Sequence, residues 1–142
     1  VDMVMAGEAG NAFAAIRPPG HHCETSTPMG FCLFGNVAIG AKYALEHHGL
    51  KSVAVVDFDV HHGNGTQDLL RNEARALTIT SQQMPLWPGS GERSDKGGFD
   101  NVVNLPIAPE SQGDQMRALY TAEVFPRLRA FKPEMIDRKS VV

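Results

Sequence analysis

The sequence predicts an α/β fold in which a largely parallel sheet lies between helices. Short runs of β-branched, apolar residues alternate along the chain with longer segments whose apolar residues recur at helical spacing, an order typical of parallel sheets with helical connections. The composition agrees, because 42% of the 142 residues are hydrophobic and 20% are charged. Such values are typical of a globular domain and argue against disorder.

Three segments have the β-branched, apolar character of buried strands. Each follows a turn or polar stretch, and the second and third are separated by a long loop at 83–100 that is rich in Pro, Gly and Ser. The predicted strands are residues 52–58, 76–80 and 101–105.

Helices are predicted between and after these strands. Residues 34–48 carry apolar side chains at helical spacing, and Gly49 follows as a C-cap. Thr66 is expected to cap a short helix that ends at Asn72. The segment 112–131 is predicted to be mostly helical, with a kink at Pro126 because proline cannot donate a backbone hydrogen bond.

Composition also excludes several classes of function. The chain has 13 Lys and Arg against 16 Asp and Glu, a net charge of −3 with no basic block, so we expect no nucleic-acid binding. No apolar run approaches the ~18 residues of a membrane span, so we expect no membrane partner. Two cysteines cannot form a disulfide scaffold, and no charged-then-apolar leader opens the sequence, which favours a cytoplasmic location.

The first cluster of reactive side chains comes at the end of the first predicted strand. Asp57, Asp59 and His61 are two residues apart, so an extended backbone would point all three the same way. Two carboxylates and an imidazole are costly to bury together without a positive charge, and a divalent metal such as zinc would supply it. The carboxyl ends of strands are also where open α/β sheets bind ligands. The alternative is a polar strand end whose aspartates cap the next helix.

A second cluster follows a rigid Pro-Pro-Gly turn. His21 and His22 could form an acid/base pair, since histidine titrates near neutral pH, and Asp57 could orient one of them. The alternative is a surface loop whose histidines have no function. A further pair, His47 and His48, ends the first predicted helix. Protonated histidine interacts favourably with the helix dipole there, and we assign this pair no function.

Four motifs, taken in order, resemble the histone deacetylase family. The resemblance spans about residues 1–136 and is to bacterial members near the class II and acetylpolyamine amidohydrolase branch. It implies an arginase-like α/β fold, of which 1–136 would be the central part of one catalytic domain. The motifs are Arg17-Pro-Pro-Gly-His-His22, Gly30-Phe-Cys32, Asp57-Phe-Asp-Val-His-His-Gly-Asn-Gly-Thr66 and Pro88-Gly-Ser-Gly91.

The resemblance implies catalytic roles for individual residues. His22 is implied to be the general base, His21 its electrostatic or acid partner, and Asp57 the carboxylate bonded to His21. Asn64 stands where the partner of His22 is expected. Three further residues are implied to line the channel for the acylated side chain: Gly30, Phe31 and Trp87.

The resemblance also implies two metal sites. Asp59 and His61 match two of the three protein ligands of a catalytic zinc ion. Asp57, Thr80 and Ser81 match the neighbourhood of a structural potassium site. The implied reaction is zinc-assisted hydrolysis of the acetyl amide of acyl-lysine or of an acetylated polyamine or small amine.

The sequence departs from the family pattern at several positions. Gln82 stands where histidine is expected, Gly35 where asparagine is expected, and Cys23 where alanine is usual. The third zinc ligand and an oxyanion-stabilising residue have no counterpart. We therefore expect a fragment that is itself inactive, with 137–142 as a non-native tail whose Asp137 is not the missing ligand.

Two other functions remain open at this level. A non-catalytic binding protein could keep the fold and lose the reaction. A dinuclear arginase-type ureohydrolase would share the fold, although the tandem histidines after Pro-Pro-Gly argue against it.

Overall fold

Four parallel strands form one sheet in the structure, which is a computed structural model that describes residues 1–140. The strand order is β3-β2-β1-β4, and every neighbouring pair is parallel. The predicted α/β fold with a parallel sheet is therefore confirmed. The strands are β1 (Val53–Asp57), β2 (Ala76–Gln83), β3 (Val102–Ile107) and β4 (Met135–Lys139).

Helices connect these strands and cover the sheet. A π-helical turn, Tyr120–Val124, joins the last two of them. None of the helical segments in residues 1–140 combines the length and the apolar composition that crossing a bilayer requires. The helices are α1 (Asp2–Met5), α2 (Asn36–Glu46), α3 (Asn64–Leu70), α4 (Gly113–Leu119) and α5 (Phe125–Phe131).

Both faces of the sheet are buried, which explains why the strands read as continuous apolar runs. Alternate residues of β1 point to opposite faces, so Val53 and Val55 pack on one side and Ala54 and Val56 on the other. The first side is covered mainly by α2. The second is covered by the helical segment that contains Val124. This packing fixes the direction of β1 and hence the position of the polar residues that follow it.

The predicted cap of α3 is wrong. The helix begins at Asn64 with Gly63 as its N-cap, and Thr66 lies buried inside it. Helix α2 also ends earlier than predicted, at Glu46, and Gly49 adopts its positive φ of 69° after the helix has ended. A glycine therefore caps the start of α3, whereas the C-cap of α2 is His47.

The irregularity in the predicted helix at 112–131 lies just before Pro126 rather than at it. The helix widens into the π-helical turn just before Phe125, and Pro126 lies in the first turn of α5. Proline is tolerated there, and its missing N–H cannot serve the carbonyl of Ala122 one turn earlier.

The residues after Ile136 lack the apolar pattern of a strand, yet β4 continues to Lys139. Its residues pair in parallel with β1, so that Asp57 lies opposite Lys139. Part of the segment interpreted as a tail thus completes the sheet edge in the structure. The interpretation of 137–142 as non-native stays a prediction, and 141–142 lie outside the described residues.

Candidate metal and catalytic site

The polar cluster lies at the carboxyl end of β1, where the loop bearing the tandem histidines packs on the start of α3. The backbone N–H groups of Gly65 and Thr66 donate to the His21 carbonyl at 2.9 and 3.1 Å. A Cβ at position 65 would lie 2.3 Å from the Cys23 carbonyl oxygen, so only glycine allows this approach. The histidine loop is therefore fixed by backbone contacts to α3.

Each histidine of the tandem has its own polar partner. His21 Nδ1 donates to Asp57 Oδ2 at 2.8 Å, and His22 Nδ1 lies 2.8 Å from Asn64 Oδ1. Both rings are buried, and their centroids are 3.8 Å apart. The structure thus brings together the four residues for which the resemblance implies catalytic roles, and the two histidines are buried rather than at the surface.

The environment of His22 keeps its imidazole neutral. Burial, and to a lesser extent the neighbouring His21, lower the pKa of His22 to about 4. At neutral pH this ring therefore has an unprotonated nitrogen, as a general base requires.

Asp59 and His61 come close together although β1 ends at Asp57. The backbone N–H of Asp59 donates to Asp57 Oδ1 at 3.1 Å, and that of His61 donates to Asp59 Oδ1 at 2.9 Å. These side-chain-to-backbone bonds, rather than a strand ladder, hold the turn that follows β1. His61 Nδ1 lies 3.5 Å from Asp59 Oδ1. Asp59 and His61 thus lie side by side as the period-two argument predicts, although the backbone that carries them is not a strand.

The structure also brings together a second group of potential metal ligands, besides the predicted pair of Asp59 and His61. His21, Asp57 and Asp59 are all buried and offer atoms within 4.8 Å of one another. His21 Nε2 is buried without a hydrogen-bond partner and lies 3.7 Å from Asp59 Oδ2. Asp59 is thus common to this group and to the predicted pair, whereas the His61 side chain is 38% exposed.

The structure adds one residue that the sequence did not indicate. Lys139 Nζ donates to Asp59 Oδ2 at 2.5 Å, and both side chains are buried. Burial alone would raise the pKa of Asp59, but the bonds from Lys139 and the His61 N–H outweigh it and lower that pKa. Lys139 was missed because β4 was not predicted. The two side chains form a buried ion pair that joins β4 to the residues after β1.

Trp87 forms an aromatic wall beside the histidines. Its ring centroid is 4.7 Å from that of His22 and 6.0 Å from that of His61. The side chain is 47% exposed, so it faces both the site and solvent. Phe31, the other predicted wall, is 94% exposed and has a φ of 61°.

Gly30 allows the loop to pass directly against His22. Its φ is 56°, and a Cβ built there would lie 2.3 Å from His22 Cδ2.

We expect Gly30→Ala to displace the His22 ring and to destabilise the protein by about 1–3 kcal/mol, the range for a strained left-handed residue. Gly40 on α2 is the control, because nothing lies within 4 Å of its added Cβ. Gly40→Ala should instead be neutral or stabilise by up to about 1 kcal/mol.

Urea denaturation of the two variants measures this difference. A Gly30→Ala protein as stable as wild type, with unchanged His22 resonances, would show that the close approach is not required.

The predicted potassium residues are buried at the same end of the sheet. Asp57 and Thr80 are register partners in β1 and β2, and the Ser81 hydroxyl is 2.8 Å from the Tyr120 hydroxyl. Next to them, Gln82 donates to the Gly91 carbonyl at 2.8 Å. Position 82 therefore anchors the Pro/Gly-rich loop.

The second histidine of the 61–62 pair anchors the same loop. His62 is buried, with Nδ1 2.8 Å from Ser90 Oγ and Nε2 3.0 Å from Gln67 Oε1. Burial lowers the pKa of His62, so the ring is neutral at pH 7. This histidine holds the loop that carries Trp87.

Comparison with known proteins agrees with the resemblance seen in the motifs. A sequence model of the histone deacetylase domain matches residues 1–137. The chain is 39% identical over 140 residues to a histone deacetylase-like amidohydrolase of Pseudomonas aeruginosa, covering 96% of this chain and 37% of that protein. It is 41% identical over 137 residues to a probable deacetylase of Archaeoglobus fulgidus, covering 94% and 38%.

The fold matches a solved structure as well. The crystal structure of the HDA15 HD domain superposes with a TM-score of 0.89 at 34% identity, covering 96% of this chain and 41% of that one. The chain therefore spans about two fifths of the length of these relatives.

Proposed function

Because this chain belongs to the histone deacetylase family, we propose that the whole protein hydrolyses the acetyl amide of acetyl-lysine or of an acetylated polyamine or small amine. The observation that supports this most is the buried, neutral His22, which lies between Asn64 and the Trp87 ring, with Asp59 and His61 nearby. These groups supply a base, an apolar wall and metal ligands at one end of the sheet.

The donor set fits a zinc ion at Asp59 and His61. Ligand atoms of a tetrahedral zinc ion, each about 2.0–2.1 Å from the metal, lie roughly 3.4 Å apart. The separation between Asp59 Oδ1 and His61 Nδ1 is 3.5 Å. When bound, zinc acts as a Lewis acid toward the amide carbonyl and the attacking water.

In this proposal the two histidines transfer the protons. With its proton on Nδ1, toward Asn64, His22 can accept the proton of the attacking water at Nε2. His21 is held in place by its hydrogen bond to Asp57. A histidine then returns a proton to the departing amine, so that acetate and a free amine leave.

Selection of the acylated substrate would come from the apolar wall. The Trp87 ring can contact the methylene stem of a lysine or polyamine, and Phe31 and Gly30 would complete the channel. A free ammonium would be expensive to desolvate there, whereas a neutral acetamide would not.

Potassium binding at Asp57, Thr80 and Ser81 is implied by the family resemblance and stays a prediction. A cytoplasmic location, expected from the sequence composition, also stays a prediction. Absence of nucleic-acid and membrane partners likewise stays a prediction from the charge and hydropathy of the sequence.

Acetate release tests the reaction class. The full-length protein is incubated with an acetyl-lysine peptide and, separately, an acetylated polyamine, and acetate and free amine are measured by mass spectrometry. The proposal predicts equal amounts of acetate and amine from at least one substrate. If neither substrate is turned over by protein with full metal occupancy, the non-catalytic binding function would replace it.

A further inference from the structure

Glu24, which was not predicted as a site residue, contacts Asn64, the partner of the proposed general base His22. Glu24 Oε1 accepts from Asn64 Nδ2 at 2.7 Å, and Asn64 Oδ1 lies 2.8 Å from His22 Nδ1. The three side chains therefore form one hydrogen-bonded chain, Glu24–Asn64–His22, which joins the histidine loop to the start of α3.

The groups around Asn64 decide which way its amide points. Besides Glu24 Oε1, the Nδ2 atom faces Met29 Sδ at 3.2 Å and the His22 carbonyl at 3.5 Å. A carboxylate, a thioether and a carbonyl can all accept a hydrogen bond and cannot donate one. The NH₂ group must therefore face them, which turns Oδ1 toward His22.

This orientation selects one tautomer of His22. Because Oδ1 of an amide only accepts, the His22 nitrogen facing it must carry the proton. Nε2 is then the unprotonated nitrogen. Reversal of the Asn64 amide would place an N–H against His22 Nδ1 and move the imidazole proton to Nε2, which would abolish the base.

We propose that Glu24 is a positioning residue that keeps the Asn64 amide in this orientation and so holds His22 as the Nδ1–H tautomer. Of the three acceptors at Nδ2, the carboxylate is the closest and the only charged one, so it is the strongest partner. The inference deepens the proposed function, on which its consequence for catalysis rests, but the tautomer itself does not depend on that function.

The loop at Glu24 has anchors that do not involve this side chain. The Glu24 backbone N–H donates to the Thr27 carbonyl at 3.0 Å, and the Thr25 N–H and hydroxyl both donate to Asp68 Oδ2, at 2.8 and 2.7 Å. Variants of the Glu24 side chain should therefore leave the loop in place.

Two variants separate the positioning role from a structural one. Glu24→Ala removes the acceptor, whereas Glu24→Gln keeps an oxygen that can accept from Asn64 Nδ2. The imidazole ¹⁵N shifts of His22, assigned by their loss in His22→Ala, report which ring nitrogen carries the proton. Wild type and Glu24→Gln should both give a protonated Nδ1, and Glu24→Ala should shift both nitrogens toward the Nε2–H tautomer. Unchanged ¹⁵N shifts in folded Glu24→Ala would overturn the proposal.

Kinetics of the full-length protein give a second readout. Glu24→Ala should lower kcat about 10-fold or more with little change in KM, as when a supporting residue around a reactive group is lost. Glu24→Gln should recover most of this loss. A kcat for Glu24→Ala equal to that of wild type would overturn the positioning role. Absence of hydrolysis in wild type, with the tautomer as expected, would instead contradict the proposed function alone.

Discussion

Replacement of His22 by alanine is expected to lower the rate of acetyl-amide hydrolysis by the full-length protein at least about 100-fold, the low end for loss of a general base. His22 combines burial, a pKa lowered to about 4 and a defined partner in Asn64. His22 also lies beside Trp87. Among the described residues, no other histidine has all four of these features. The rate is measured as acetate release at saturating substrate.

The matched control is His47→Ala. His47 is exposed at the end of α2, where its ring stacks on Tyr43, away from the cluster at the end of β1. This variant should retain activity within about twofold, since surface substitutions change little. Equal rates for His22→Ala and wild type would reassign the base to another group.

Replacement of Asp59 by asparagine is expected to weaken zinc binding at least about 100-fold. Loss of a residue that only supports a metal ligand costs up to about 100-fold, and loss of a ligand itself should cost more. Asp59 contacts both His61 and Lys139 and is the residue shared by the two possible ligand groups. Zinc per chain is measured by mass spectrometry after dialysis. Asp114→Asn, at an exposed position in the first turn of α4, should keep wild-type zinc.

Asp59→Asn also leaves the buried Lys139 ammonium without its partner, which could unfold the protein and release zinc indirectly. The double variant Asp59→Asn/Lys139→Met removes both charges and should fold, because replacing a buried ion pair by uncharged groups is often neutral. This double variant should show the same loss of zinc affinity as Asp59→Asn. Wild-type zinc content in either variant would show that Asp59 is not a ligand.

The sequence predicted the core of the fold well because the strands are buried on both faces. Val53 to Val56 form a run of small and β-branched apolar residues that is typical of a parallel strand covered on both faces, and β1 lies within the predicted range. The position of the polar cluster followed from the same strand, since polar residues directly after a buried parallel strand gather at its carboxyl end.

What the sequence missed depends on contacts between distant segments. Lys139 reaches Asp59 only because β4 pairs with β1 across 80 residues, and the residues of β4 lack an apolar pattern. Glu24 contacts Asn64 across 40 residues for similar reasons. Local patterns of one chain do not encode such partners, which become visible only when the loops are packed together.

The measurement that tests the central claim most directly is metal removal and replacement in the full-length protein. The protein is treated with a chelator, dialysed and assayed for acetate release before and after stepwise addition of zinc. The account predicts that activity is lost on chelation and returns in proportion to zinc, saturating at one ion per chain, and that Asp59→Asn shows no such recovery. Undiminished acetate release by the metal-free protein would contradict it.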